Sequence, residues 1–207
     1  MNSSWVPFSR YLLNTVIITV GGTGGHVILA SLAAYPLSKH SFRGKKLLFD
    51  MVVLSMMFSW TVTQIPNYMI ISWLGINNTY LALILPACSY GMGLYLMKQF
   101  METSVSDQVL ESARLDGAGE FKVFWTIAMP MVKPAWLTLI IETFRNLWNS
   151  GSSIYIQSEQ LKSFNYAIQQ ITAGGIKRAG ASAAATVIMM LVPITVFIIG
   201  CLVIRKE

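Results

Sequence analysis

The sequence predicts an all-α fold, a polytopic bundle of membrane helices, and three observations carry that prediction. Of the 207 residues, 54% are hydrophobic and only 12% are charged, with a mean hydropathy of +0.56, whereas soluble domains carry roughly 25% charged residues. The apolar residues are gathered into runs: 11–38, 51–97 and 179–204 contain no Asp, Glu, Lys or Arg, and a helix needs about 20 residues to cross a hydrocarbon core about 30 Å thick. Charged residues are gathered as well, above all between Glu102 and Lys133.

Five spans follow in order. The first covers about 11–36. The middle run is long enough for two, at 47–72 and 79–100, separated by the turn-prone Gly75, Asn77, Asn78 and Thr79. The fourth covers 134–156, strongly apolar from Ala135 to Ile141, and the fifth 181–204. The chain reads as one transmembrane domain, 1–207, with 102–133 as a polar loop inside it. Met1 to Arg10 lacks the basic start, short apolar stretch and small-residue cleavage site of a signal peptide.

Within the first span, Gly21, Gly22, Gly24 and Gly25 are not followed by Lys-Ser or Lys-Thr, so they do not form a phosphate-cradling loop. Gly21 and Gly25 have instead the spacing that lets membrane helices approach closely. His26 reads as a packing or pore-lining residue. The only other histidine is His40, and Cys88 and Cys201 show no ligand spacing, so no metal site is expected. Both cysteines fall inside spans, where a thiol packs as a small apolar group.

The fourth span holds Glu142 and Arg145, and ionisable groups inside a membrane usually face protein or a water-filled cavity. At 1.5 Å per residue Arg145 stands roughly 17 Å beyond Pro134, near mid-bilayer. The spacing of three permits an ion pair between them. With Asn149 they are the candidate substrate-pathway residues, and a guanidinium able to grip a carboxylate through two donors points to solutes with acidic groups. The polar stretch 150–180 includes Gln157, Glu159, Gln160, Lys162, Asn165, Tyr166, Gln169 and Gln170, read either as a solvated loop or as a face for a partner.

The net charge of +6 has a topological explanation that needs no nucleic acid. Short cytoplasmic loops retain Lys and Arg. With 102–133 in the cytoplasm, the fifteen basic residues divide into ten inside, four outside (Arg10, Lys162, Lys177 and Arg178) and one embedded, Arg145. The C-terminus is then cytoplasmic.

The polar loop itself reads as helix, glycine turn, helix. Ser104 and Asp107 fit a helix-start signal, Val109, Leu110, Ala113 and Gly117 make a narrow apolar strip, and Asp107, Glu111 and Arg114 make a charged flank with a Glu111–Arg114 pair. Gly117 and Gly119 end that helix, and Glu120 to Ile127 form a second before Pro130 and Pro134. The small residues of the strip admit close approach by a partner.

Here the sequence resembles the permease subunits of ABC importers, in particular the carbohydrate branch that includes the maltose-importer permeases. Their signature is Glu-Ala-Ala, three residues, Gly, nine residues, Ile, one residue, Leu-Pro. This chain has Glu111-Ser112-Ala113, Gly117, Ile127 and Met129-Pro130 at both spacings, with Ser112 for Ala and Met129 for Leu. Leu32 to Leu37 with Phe42-Arg43-Gly44, Ile65-Pro66, Leu74-Gly75, Asn78-Thr79, Leu115 to Ala118 and Trp148-Asn149 extend the likeness over nearly the whole chain.

The resemblance implies that Glu111, Ser112, Ala113, Gly117, Ile127, Met129 and Pro130 form a coupling loop that docks on an ATPase. It implies a cell-membrane subunit with ABC ATPase subunits, a second homologous permease, an extracytoplasmic solute-binding protein, a sugar and membrane lipid as partners, and with no cofactor or catalytic residue of its own. Such subunits commonly have six spans, and this chain begins just before the second, so the first is expected to be missing. An inactive assembly fragment is the alternative reading. An intramembrane enzyme is a more distant one, since there is no His-Glu-x-x-His motif and there are no paired aspartates in spans.

Overall fold

A computed structural model describes residues 7–151, 154–173 and 179–205. Lys177, Arg178 and Lys206, which entered the charge count, lie outside the described residues, as does the start of the chain before Pro7. Among the described residues the regular structure is entirely helical.

The axis of the molecule is α1 (Phe8–Lys39), against which α4 (Leu81–Cys88), α5 (Gly91–Ser104) and α9 (Lys133–Trp148) pack. Its polar residues turn inward: Asn14, Thr15, Thr19, Thr23, His26 and Ser31 are buried together with Ile18, Val27, Ala30, Ala34 and Leu37, while Leu13, Ile17, Val20, Ile28 and Leu29 are exposed. A water-soluble helix would be turned the other way. In lipid, apolar side chains lose nothing by facing outward, whereas small and polar ones gain close packing and hydrogen bonds inside. The predicted glycine spacing is used directly: a methyl on Gly21 would lie 3.0 Å from Ile84 Cδ1 of α4, and one on Gly25 would lie 2.7 Å from Cys88 Sγ, one turn along the same helix. His26 is 1% exposed and fills the space above Gly93 of α5.

Two expected spans are broken. The 47–72 stretch folds as α2 (Lys45–Met56) and α3 (Trp60–Trp73), turned sharply at Met57–Ser59. Ser59 adopts extended geometry there, and its carbonyl accepts the amides of Val62 and Thr63 to start the new helix. The 79–100 stretch becomes α4 and α5, interrupted after Pro86, which donates no amide, but the two together still form one apolar length from Leu81 to Ser104. The turn between these spans lies where expected, with Gly75 and Asn78 both at positive φ, 68° and 60°.

The fourth span also needs correction. Helix α9 ends at Trp148, eight residues before the predicted 156, because Asn149-Ser150-Gly151 stops it and the Asn149 amide bonds the Arg145 carbonyl, an orphan of the last turn. The chain then returns as α10 (Phe164–Ala173) and the last span α11 (Ala179–Arg205). The 150–173 stretch is anchored rather than merely solvated: the Asn14 amide donates to the carbonyls of Gln160 and Lys162, and Thr15 Oγ1 accepts the amide of Phe164.

Candidate functional site

Two features carry the functional reading, the polar hairpin and a cavity, and α1 and α9 run between them. The hairpin begins at Ser106, which is extended with no side-chain cap, so the start lies two residues beyond the predicted Ser104. Helix α6 (Asp107–Leu115) follows, with Asp107 in its first turn at the positive end of the helix. It closes as the glycine spacing requires: Gly117 at φ +79° donates its amide to the Arg114 carbonyl, and Ala118 donates to the Ala113 carbonyl, the paired bonds of a Schellman turn. Only glycine adopts that φ without strain.

The return helix differs from the prediction at its end. After α7 (Glu120–Val123) the backbone passes through a π turn at Phe124–Ala128 and on through α8 (Met129–Met131), meeting α9 at 79°. Pro130 therefore does not stop the helix. Lacking an amide, it leaves an upstream carbonyl without its helical donor, and the wider i→i+5 turn immediately before it absorbs the mismatch.

The loop signature divides into two kinds of residue. Leu110 of the apolar strip is buried and packs with Met97, Met101, Val105, Val123, Phe124 and Ala128; Ala113, Ile127 and Met129 lie half-buried against the same cluster. Glu111, Ser112, Gly117 and Pro130 are exposed. Two large apolar residues stand exposed at the hairpin tip, Leu115 at 88% and Phe121 at 72%; the sequence reading names Leu115 only within the family-like segment and does not name Phe121. Their signal was available, since each is a large apolar residue beside the turn glycines in an otherwise charged loop.

The ionic pattern also departs from expectation. Arg114 does not pair with Glu111; it grips Glu120 across the turn, with Nε donating to Oε1 at 2.6 Å and Nη2 to Oε2 at 3.3 Å. The same carboxylate accepts from Tyr35 Oη at 3.2 Å, and the Lys39 ammonium donates to Asp107 Oδ1 at 2.8 Å and to the Val105 carbonyl. The end of α1 thus fastens both helices of the hairpin. The hydrogen bond from Arg114 holds the Glu120 carboxyl below the usual carboxylate range, and that from Lys39 does the same for Asp107.

The cavity, of about 580 Å³, opens between α3, α4, α9 and the segment after α9. Gln64, Tyr90, Thr143, Asn146, Ser150 and Tyr155 supply its polar and aromatic lining. On α9 the lining residues follow helical spacing, and Glu142, Arg145 and Asn149 lie one position before them on a neighbouring strip. Glu142 is half-buried, Arg145 and Asn149 are exposed, and among the described residues Glu142 and Arg145 make no ion pair.

Long apolar helices with lipid-suited exteriors, linked by a charged hairpin, define a multi-pass membrane protein. Residues 26–206 match the family of binding-protein-dependent transport system inner membrane components, and the chain belongs to that family. Protein LplC of Bacillus subtilis (strain 168) is 34% identical over 167 residues, 80% of this chain and 56% of LplC. The polygalacturonan/rhamnogalacturonan transport system permease protein YtcP of the same organism is 34% identical over 141 residues, 68% of this chain and 48% of YtcP. The chain therefore spans about half the length of these two relatives. The fold matches a crystal structure of a bacterial ABC transporter involved in the import of the acidic polysaccharide alginate, with a TM-score of 0.79 over 97% of this chain and 75% of that one at 23% identity.

Proposed function

We propose that this chain is a permease subunit of an ATP-driven carbohydrate importer, forming half of the solute pathway and drawing its energy from separate ABC ATPase subunits. The observation that carries the reading is the hairpin: a rigidly fastened element whose tip exposes Leu115 and Phe121 beside Glu111, Ser112 and Gly117. Exposed apolar residues on a polar loop mark a surface for a protein partner. Sugar as the solute is supported by family membership and by relatives such as YtcP, named for polygalacturonan and rhamnogalacturonan transport.

The geometry supplies a route for coupling. Closure of the ATPase subunits displaces α6; Leu110 passes the motion to Met97 and Met101 of α5, and the cluster extends through Ala128 and Val132 to Ala135 and Leu139 of α9. Helix α9 then moves Thr143, Asn146 and Ser150 at the cavity wall. That uncharged wall is a better holder for a sugar than the neighbouring strip of Glu142, Arg145 and Asn149, whose guanidinium is exposed. An extracytoplasmic solute-binding protein delivers sugar at the opposite end, to the 150–173 segment.

Two measurements test this reading. The chain, co-expressed with candidate ABC ATPase and second permease subunits from its own genome, is expected to co-purify with both and to support sugar uptake; a stable chain that captures no ATPase overturns the assignment. A cysteine introduced at Lys45 or Glu120 is expected to resist an impermeant external reagent while one at Lys162 reacts, following the distribution of basic residues. The reverse labelling would place the hairpin on the wrong side for an ATPase.

A further inference from the structure

A second cavity, of about 450 Å³, opens where α2 begins against α5, at the hairpin end of the molecule, and no part of the transport reading uses it. It is lined by Phe42, Gly44, Lys45, Lys46, Phe49 and Lys98. Three ammonium groups around one opening repel one another, and among the described residues only Lys98 has a carboxylate beside it. Lys98 is partly satisfied, paired with Glu102 at 2.7 Å and placed over the Phe49 ring at 4.2 Å from its centroid. Lys45 donates to the Ser38 carbonyl, a neutral partner, and among the described residues Lys46 makes no ion pair. With Arg43 beside them, and Asp50 and Glu102 as the acids of the two elements, basic groups remain in excess.

We propose that this pocket binds the phosphate of an anionic phospholipid, with the acyl chains lying along α2. The apolar flank decides between lipid and free phosphate. Helix α2 has no buried residue, and at helical spacing from Lys45 and Phe49 the pocket side continues through Leu48, Val53 and Met56, which are 50%, 36% and 40% exposed. A charged mouth continuing into an apolar helix face matches an amphiphile, not a small ion. Clusters of Lys and Arg at the end of a membrane helix attract anionic headgroups by about one factor of five in affinity per basic side chain. The start of α2 adds the positive end of a helix to the same opening.

The test is native mass spectrometry of the full chain in detergent, titrated in separate arms with dioleoyl phosphatidylglycerol, dioleoyl phosphatidylcholine and inorganic phosphate. The chain is expected to retain phosphatidylglycerol in preference to phosphatidylcholine. Lys46→Gln, at an exposed residue, is expected to weaken that retention roughly fivefold and Lys45→Gln with Lys46→Gln roughly twenty-five-fold, while Lys122→Gln in the hairpin leaves it unchanged. Equal retention of the two lipids, or undiminished phosphatidylglycerol binding in Lys46→Gln, overturns the proposal. Displacement of the lipid by millimolar phosphate that itself binds would make the pocket a free-anion site and overturn it equally. ATPase capture plays no part in this readout, so the transport reading and the lipid site fail independently.

Discussion

Leu110 and Leu115 stand five residues apart on the same short helix, yet Leu110 is 1% exposed and Leu115 88%. The difference separates two regions of the hairpin. Its inner face joins the core shared with α5 and α9, and there the loss of a methyl group leaves a void. At its outer tip Leu115 and Phe121 stand largely exposed, and a Cβ added at Gly117 would meet no atom within 4 Å. The inner face holds the hairpin in place; the tip is shaped for something outside the chain. Substitutions should therefore sort by face, not by position in the motif.

The largest effect is expected from the inner face. Leu110→Ala removes a fully buried side chain amid Met97, Met101 and Phe124, and such truncations cost about 2–5 kcal/mol. Thermal unfolding in detergent should shift clearly downward and the hairpin should become protease-sensitive. An unchanged unfolding profile would abolish the distinction between the faces.

The tip should behave in the opposite way. Leu115→Ser and Phe121→Ser are expected to leave the unfolding temperature unchanged while weakening ATPase capture by tenfold or more, since a truncated apolar anchor at an interface costs roughly 1–2 kcal/mol or above. Loss of stability without loss of capture would assign both residues to the fold instead. Gly117→Val lies between the regions. It forces a β-branched residue to φ +79° at about 1–3 kcal/mol of local strain, so local hydrogen exchange at Arg114 to Ala118 should accelerate while the inner cluster stays protected.

Much of the hairpin was legible in the sequence for a physical reason: turn glycines and the spacing of apolar residues are local, and local rules place Gly117 and the start of the return helix. The directions were not. Leu110 faces inward because α5 and α9 cover that side, which no property of residues 107–117 reveals. Arg114 chose Glu120 over Glu111 because the turn brings α7 alongside, where Tyr35 also reaches the carboxylate. In the membrane, charge-free runs located the spans but carried no mark of the break at Ser59, whereas the early end of α9 had a local signal in Asn149-Ser150-Gly151. On α9, Glu142 and Arg145 drew notice because charges stand out in an apolar run, while the cavity took Thr143 and Asn146, which differ from them by one position and carry no charge to betray them.

The smallest effect concerns the ion pairs that join the faces to α1, and its sign follows from the direction of the shifts. The Arg114 hydrogen bond lowers the folded-state pKa of Glu120 below its unfolded value, and Lys39 lowers that of Asp107. A depressed carboxyl stabilises the folded form above the unfolded pKa, near 4, and that contribution is lost as pH falls through the folded value. Stability of the hairpin should thus be flat from pH 7 to about 5 and decline below about 4. Glu120 is half exposed, with 51% of its side chain accessible, so screening keeps its share within the roughly 0–1 kcal/mol of a surface pair. Glu120→Gln should remove that part of the decline, leaving the part due to Asp107, when protease resistance of the hairpin is followed from pH 7 to 3. A variant that declines as steeply as the parent would show that Arg114 and Tyr35 do not hold Glu120 ionised, and would leave Lys39 as the fastening between α1 and the hairpin.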